Sequence, residues 1–161
     1  MDRVGVGYDE DFYAWTQDQA AELRRAGATR NSAPIDWANV AEEIEGMGRS
    51  QKSEIDGRLS VLLVHLLKWL YCSELRERCE RGWRLTIREQ REKLIDEIEA
   101  SPSLRPFGQS IFKKIYERSR LRAAADADVP DAQIPVEPPF TLDQILDPAY
   151  PAGLFPPEQR V

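Results

Sequence analysis

Apolar residues recur at three- and four-residue intervals through most of the chain before residue 125, which places them along one side of an α-helix. Asp9 reads as an N-cap, followed by Phe12, Trp15, Gln19, Leu23 and Ala26, and Gly27 closes the segment. A helix over about 9–26 is predicted, then a loop at 27–35 containing Asn31, Ser32 and Pro34. Asp36 caps the next segment, where Trp37, Val40, Ala41, Ile44 and Met47 share a face. Gly46 and Gly48 each cost about 1 kcal/mol relative to alanine in a helix interior. A break or kink near residues 46–49 therefore competes with a continuous helix. From Ser50 to Tyr71 the period resumes through Ile55, Leu59, Leu62, Leu63, Leu66 and Leu70, with Val61, Val64 and Leu67 on the other sides. A helix apolar nearly all round belongs at the centre of its fold.

Residues 73–82 are charged and end at Gly82, predicting a short helix or a loop. Trp83, Ile87, Leu94, Ile95 and Ile98 mark a helix over about 83–99. Ser101-Pro102-Ser103 stops it and starts another, with Leu104, Phe107, Ile111, Ile115 and Tyr116 as its apolar side. Beyond Val129 the character changes. Eight of the 11 prolines fall in residues 129–161, which excludes a long helix or a central strand there. The segment nevertheless keeps Phe140, Leu142, Ile145, Leu146, Tyr150, Leu154 and Phe155, and Thr141 with Gln144 forms a capping box. The predicted fold is all-α: an up-and-down helical bundle of about four main helices with a Pro-rich C-terminal arm. Residues 1–128 form the bundle, and 129–161 form the arm, with one short helix near 141–147. The arm packs on the bundle or on a neighbouring subunit.

The chain has 161 residues, the size of one ordinary domain, and carries a net charge of −6. That acidity disfavours nucleic acid as a partner, but its distribution is uneven. Residues 1–60 hold 12 acids and 7 bases, residues 61–122 hold 9 and 14, and residues 123–161 hold 7 and 1. The bases Lys113, Lys114, Arg118, Arg120 and Arg122 crowd the last long helix, where pairing with the acidic segment beyond is expected. The N-terminus has no apolar signal-like region. The longest apolar run, Leu59 to Cys72, is shorter than the roughly 20 residues that span a bilayer. Cys72 and Cys79 stand seven apart, about 10 Å along a helix, too far for a disulfide. A cytoplasmic location with reduced thiols is expected.

Several runs occur in a recognisable order: Trp15, Asp36-Trp37, Glu42-Glu43-Ile44-Glu45-Gly46-Met47-Gly48 and His65-Leu66-Leu67-Lys68-Trp69. Trp83, Thr86-Ile87, Gln90-Arg91, Ser101-Pro102-Ser103-Leu104 and a late Pro-Phe follow. Together they resemble the bacterial family catalogued as domain of unknown function twenty-nine, from about Tyr8 to Tyr150. The resemblance implies a helical, soluble bacterial protein. It implies no reaction, ligand or partner.

One polar constellation stands out. His65, the single histidine, shares a helix side with Lys68 and Trp69. Glu42 and Glu45 stand at i, i+3 on the preceding segment, and Arg88 and Arg91 have the same spacing on the Trp83 helix. If these helices pack side by side, a polar seam of Glu42, Glu45, His65, Lys68, Arg88 and Arg91 runs through the bundle, with Trp15, Trp37, Trp69 and Trp83 as aromatic support. An internal network that fixes helix register is the commoner use of such groups. A functional pocket is the alternative. Di-iron bundles need Glu-x-x-His motifs, and position 62, three before His65, is leucine, so no metal or cofactor is expected. No nucleophile elbow or complete catalytic set is present. The favoured role is a non-catalytic protein-interaction or regulatory module, its partner another protein or a second copy. An enzyme or small-ligand binder using the seam comes next, then a nucleic-acid accessory protein.

Overall fold

The computed structural model describes residues 5–29 and 33–156. The predicted loop residues Asn31 and Ser32 and the end of the arm beyond Pro156 lie outside them. Four long helices and a short fifth account for the regular structure, with no strand among the described residues. They are α1 (Phe12–Ala28), α2 (Trp37–Tyr71), α3 (Ser73–Ala100), α4 (Arg105–Ala127) and α5 (Leu142–Leu146). No helix among the described residues is long and apolar enough to cross a membrane.

The chain divides into two compact units, one from residues up to 54 with 97–107, the other from 55–96 with 108 onward. In the first, α1 starts later than predicted. The amides of Glu10 and Asp11 both bond the Gly7 carbonyl, so the chain is still turning at Asp9. Asp11 is the N-cap, its carboxylate accepting from the Ala14 amide at 2.8 Å. Asp36 caps α2 as expected, accepting from the Asn39 amide at 3.2 Å.

No break occurs at Gly46 or Gly48, because α2 is continuous over 35 residues. A Cβ at Gly48 would lie 2.6 Å from Thr16 Oγ1 and 2.9 Å from Gln17 Nε2, so this glycine permits α1 to approach closely. Close packing of the two helices offsets the propensity cost of the glycine. Ile98 and Leu104 are buried in this unit beside small or polar side chains: Ala20, Ala41, Thr16, Gln51 and Ser101.

The second unit has a leucine core. Leu59, Leu62, Leu63, Leu66 and Leu67 of α2 are fully buried, as are Ile87, Leu94, Ile115 and Tyr116. Residues 73–82 are helical, so the charged stretch and the Trp83 segment form one helix of 28 residues. Gly82 sits within it, spanned by the Arg84–Glu80 ion pair at i, i+4. α4 ends in a Schellman arrangement: Asp128 takes a left-handed φ of 52°, and the Val129 amide bonds the Ala124 carbonyl at 3.0 Å. In the arm, Thr141 and Gln144 close the capping box of α5. Phe140, Leu142, Ile145, Leu154 and Phe155 are buried in the same unit. The Phe140 ring meets Phe112, Tyr116 and Tyr150 edge-on, at centroid distances of 6.4, 6.0 and 6.0 Å.

Candidate functional site

Glu42 and Glu45, one turn apart on α2, find their partners in the first unit. Arg24 of α1 donates to Glu45 at 2.7 Å and lies 3.6 Å from Glu42. Arg49 reaches the same two carboxylates at 2.5 Å from Glu42 and 3.6 Å from Glu45. The Arg24 hydrogen bond holds the Glu45 carboxyl below its ordinary range. These groups are exposed to half-exposed, where solvent screens ion pairs and leaves them little net stabilisation.

His65 and Lys68 belong to the second unit. The His65 Nδ1 bonds the Val61 carbonyl one turn back at 2.8 Å, so Nδ1 carries the hydrogen and Nε2 is the acceptor nitrogen of the neutral ring. Burial pushes the His65 pKa below 6.5. The charge of Lys68 adds to that, while the Val61 bond and Asp126 oppose it. The ring is therefore neutral at pH 7. Lys68 is buried, its ammonium 3.7 Å from Asp126 and 5.5 Å from the centre of the Trp83 ring. Cys72, one turn after Lys68, is buried and free, and burial raises its thiol pKa against the opposing field of Lys68.

Arg88 and Arg91 also lie in the second unit, and both address the arm. Arg88 stands over the Phe155 ring, 4.7 Å from its centroid. Arg91 is 3% exposed and donates to three backbone carbonyls: Ile145 at 2.8 Å, Tyr150 at 2.7 Å and Pro148 at 3.4 Å. Ile145 lies in the last turn of α5, where a helix leaves carbonyls without internal partners, and Pro148 and Tyr150 follow it. Burial lowers Arg91 to about 10, with Asp147 acting in opposition, so it remains a cation at neutral pH.

The four tryptophans divide between these settings. Trp69 is buried with the guanidinium groups of Arg76 and Arg84 over its ring at 4.9 and 5.1 Å. Trp83 receives Lys68. Trp37 opens α2 half-buried, its Cβ where a side chain on Gly27 would fall. Trp15 makes an edge contact with Tyr8 at 4.9 Å and stacks on Phe12 at 6.1 Å.

Two polar assemblies leave little mark in the sequence. Asp11 bonds the Ser103 amide at 2.7 Å and the Ser103 hydroxyl at 2.9 Å, besides capping α1. Ser101 accepts from the Tyr13 amide at 2.9 Å and donates to Gln51 at 2.7 Å. The Ser-Pro-Ser motif signals only a helix boundary, because most of its partners lie some 90 positions away. Lys52 stands between the rings of Tyr13 and Phe107, at 4.7 and 5.0 Å. Among the described residues, no group of three or more His, Cys, Asp or Glu is placed to hold a metal ion.

The fold and these contacts define an all-α protein in which several buried polar groups bind backbone. Within that class, the chain belongs to the family described as domain of unknown function DUF29, whose model matches residues 7–151. It is similar to an α-helical protein of unknown function from Rhodospirillum rubrum, known from a crystal structure. The identity is 27%, over 88% of this chain and 90% of that one, with a TM-score of 0.74. No curated protein matches the chain.

Proposed function

We propose that this protein is a cytoplasmic, non-catalytic interaction or regulatory module that binds another protein. The carrying observation is the partition of charge. Among the described residues, the first unit holds twelve carboxylates against five basic side chains, and the second holds fourteen of each. A surplus of like charge stabilises no fold by itself, since it adds self-repulsion, but it steers and selects an oppositely charged partner. The candidate groups agree with this reading. Arg91 is engaged by arm carbonyls, Glu45 by Arg24, and His65 Nδ1 by a helix carbonyl. The test is co-purification of tagged protein from its host with nuclease treatment. A stoichiometric protein partner that survives nuclease is expected, and recovery of the chain alone overturns the proposal.

A second reading, a small-ligand binder or enzyme using the polar seam, draws on the buried Lys68 beside Asp126 and the acceptor Nε2 of His65. A thermal-shift screen of metabolites tests it, because a ligand held there raises the melting temperature of the wild type but not of His65→Ala. The third reading, a nucleic-acid accessory protein, would use the basic side chains of α4. Four of these have partners within the second unit. Lys113 pairs with Glu137, Arg118 with Asp56, Arg122 with Asp126, and Arg120 with the carbonyls of Ile134 and Asp131.

A further inference from the structure

The acidic unit presents an aromatic cluster to solvent. Tyr8 is 54% exposed and makes edge contacts with Phe12 at 5.4 Å and Trp15 at 4.9 Å, both of which are themselves partly exposed. Beside Phe12 opens a groove of about 440 Å³ with Glu54 and Glu97 in its walls. A second groove of about 410 Å³ opens beside Val6, walled by Asp18, Glu22 and Arg25, the last two paired with each other. Asp9 and Glu10 follow Tyr8 directly and are exposed. Exposed aromatics cost burial energy that is regained only in a contact, and tyrosine and tryptophan dominate the energetics of protein interfaces. Carboxylates around electron-rich rings attract cations both by charge and by the ring quadrupole. The same unit already uses that chemistry internally, where Lys52 lies between Tyr13 and Phe107.

The geometry points to the Tyr8–Phe12–Trp15 cluster, with the acid-walled groove beside Phe12 and the exposed carboxylates of Asp9 and Asp18, as the docking surface for a basic amphipathic segment of another protein. Apolar side chains of that segment cover the rings, while its lysines and arginines reach Asp9, Asp18 and Glu97. This inference rests on the interaction-module reading and specifies its partner as cationic.

The experiment uses two synthetic helical peptides with identical leucines, one carrying lysine and arginine, the other glutamate at the same positions. Fluorescence anisotropy follows their binding to the full chain. The basic peptide binds, more weakly as salt rises, and its charge-inverted twin does not. The combined variant Tyr8→Ser, Asp9→Lys, Asp18→Lys, at exposed positions that leave the melting temperature unchanged, weakens binding by roughly tenfold or more. Asp9→Asn with Asp18→Asn removes charge without altering shape and gives a smaller loss in the same direction. Equal binding of the two peptides, or undiminished binding by the combined variant, overturns the surface. The combined variant also enters the nuclease-treated co-purification. A partner it retains overturns this surface but leaves the module reading standing, whereas no partner for the wild type removes that reading itself. Self-association of the wild type that the combined variant abolishes would give the surface to a second copy and overturn the cationic partner.

Discussion

The Arg91 guanidinium and the Tyr150 carbonyl meet at 2.7 Å, and that bond ties the interior of α3 to the proline-rich arm. The side chain is almost wholly buried and its hydrogen bonds end on main-chain oxygens rather than on a carboxylate. Each carbonyl left without a donor costs about 1–3 kcal/mol. Arg91→Ala is therefore expected to lower unfolding free energy by about 3–5 kcal/mol. Arg91→Lys, with no planar fork, recovers only part of that. Denaturant titration measures the loss, and limited proteolysis reports earlier cleavage after residue 140 in the alanine variant.

Three glycines in long helices separate space from propensity. A Cβ at Gly48 would meet Thr16, Gln17 and Tyr13 at 3.0 Å or less, so Gly48→Ala destabilises by about 1–3 kcal/mol despite its better propensity. At Gly57 and Gly82 nothing beyond the adjoining backbone of the helix comes within 4 Å of that position. Alanine at either is expected to stabilise by about 0.5–1 kcal/mol. Thermal melts of the three variants should show opposite signs.

Asp11 serves two helix starts at once. Asp11→Ala removes the cap of α1 and both bonds to Ser103, with an expected cost of about 2–3 kcal/mol. Asp11→Asn keeps acceptor capacity and loses less. Amide exchange at Ala14 and Ser103 should quicken together in the alanine variant.

His65 contributes a pH dependence of predictable sign. Its folded pKa lies below 6.5, so the unfolded chain binds a proton more readily. The penalty is absent above pH 6.5 and grows as pH falls toward the folded value, weakening the fold on acidification. Lys68 and Asp126 are the charged groups that act on the ring. Comparing unfolding free energies at pH 7.5 and 5.5, His65→Gln is expected to lose less stability than wild type.

Periodicity revealed the helices because most follow from one-sided burial. The leucines from Leu59 to Leu67 and the Thr141–Gln144 box are read correctly from spacing alone. The errors fall where a distant contact overrides a local signal. Asp9 and Asp11 are equally good caps by residue type, and Ser103, distant in sequence, completes the role of Asp11. Gly48 looks like a breaker until Thr16 packs against it. Residues 73–82 read as a short helix or a loop and are helical, continuous with the Trp83 segment through Gly82, with the local Arg84–Glu80 pair spanning the glycine. The candidate polar residues illustrate the same limit. Glu45 takes its partner Arg24 from α1, and Arg91 binds carbonyls, which every residue has and which therefore leave no mark in the sequence. Tyr8, Phe12 and Trp15 have helical spacing that reads as core, and only their exposure distinguishes a surface from an interior.

The central claim, that this chain acts by holding another protein, is tested most directly by light scattering on the nuclease-treated, co-purified material. The predicted result is a species whose mass contains this chain and one partner polypeptide in fixed ratio. A preparation that elutes as this chain alone, at physiological salt and with its fold intact, would contradict it.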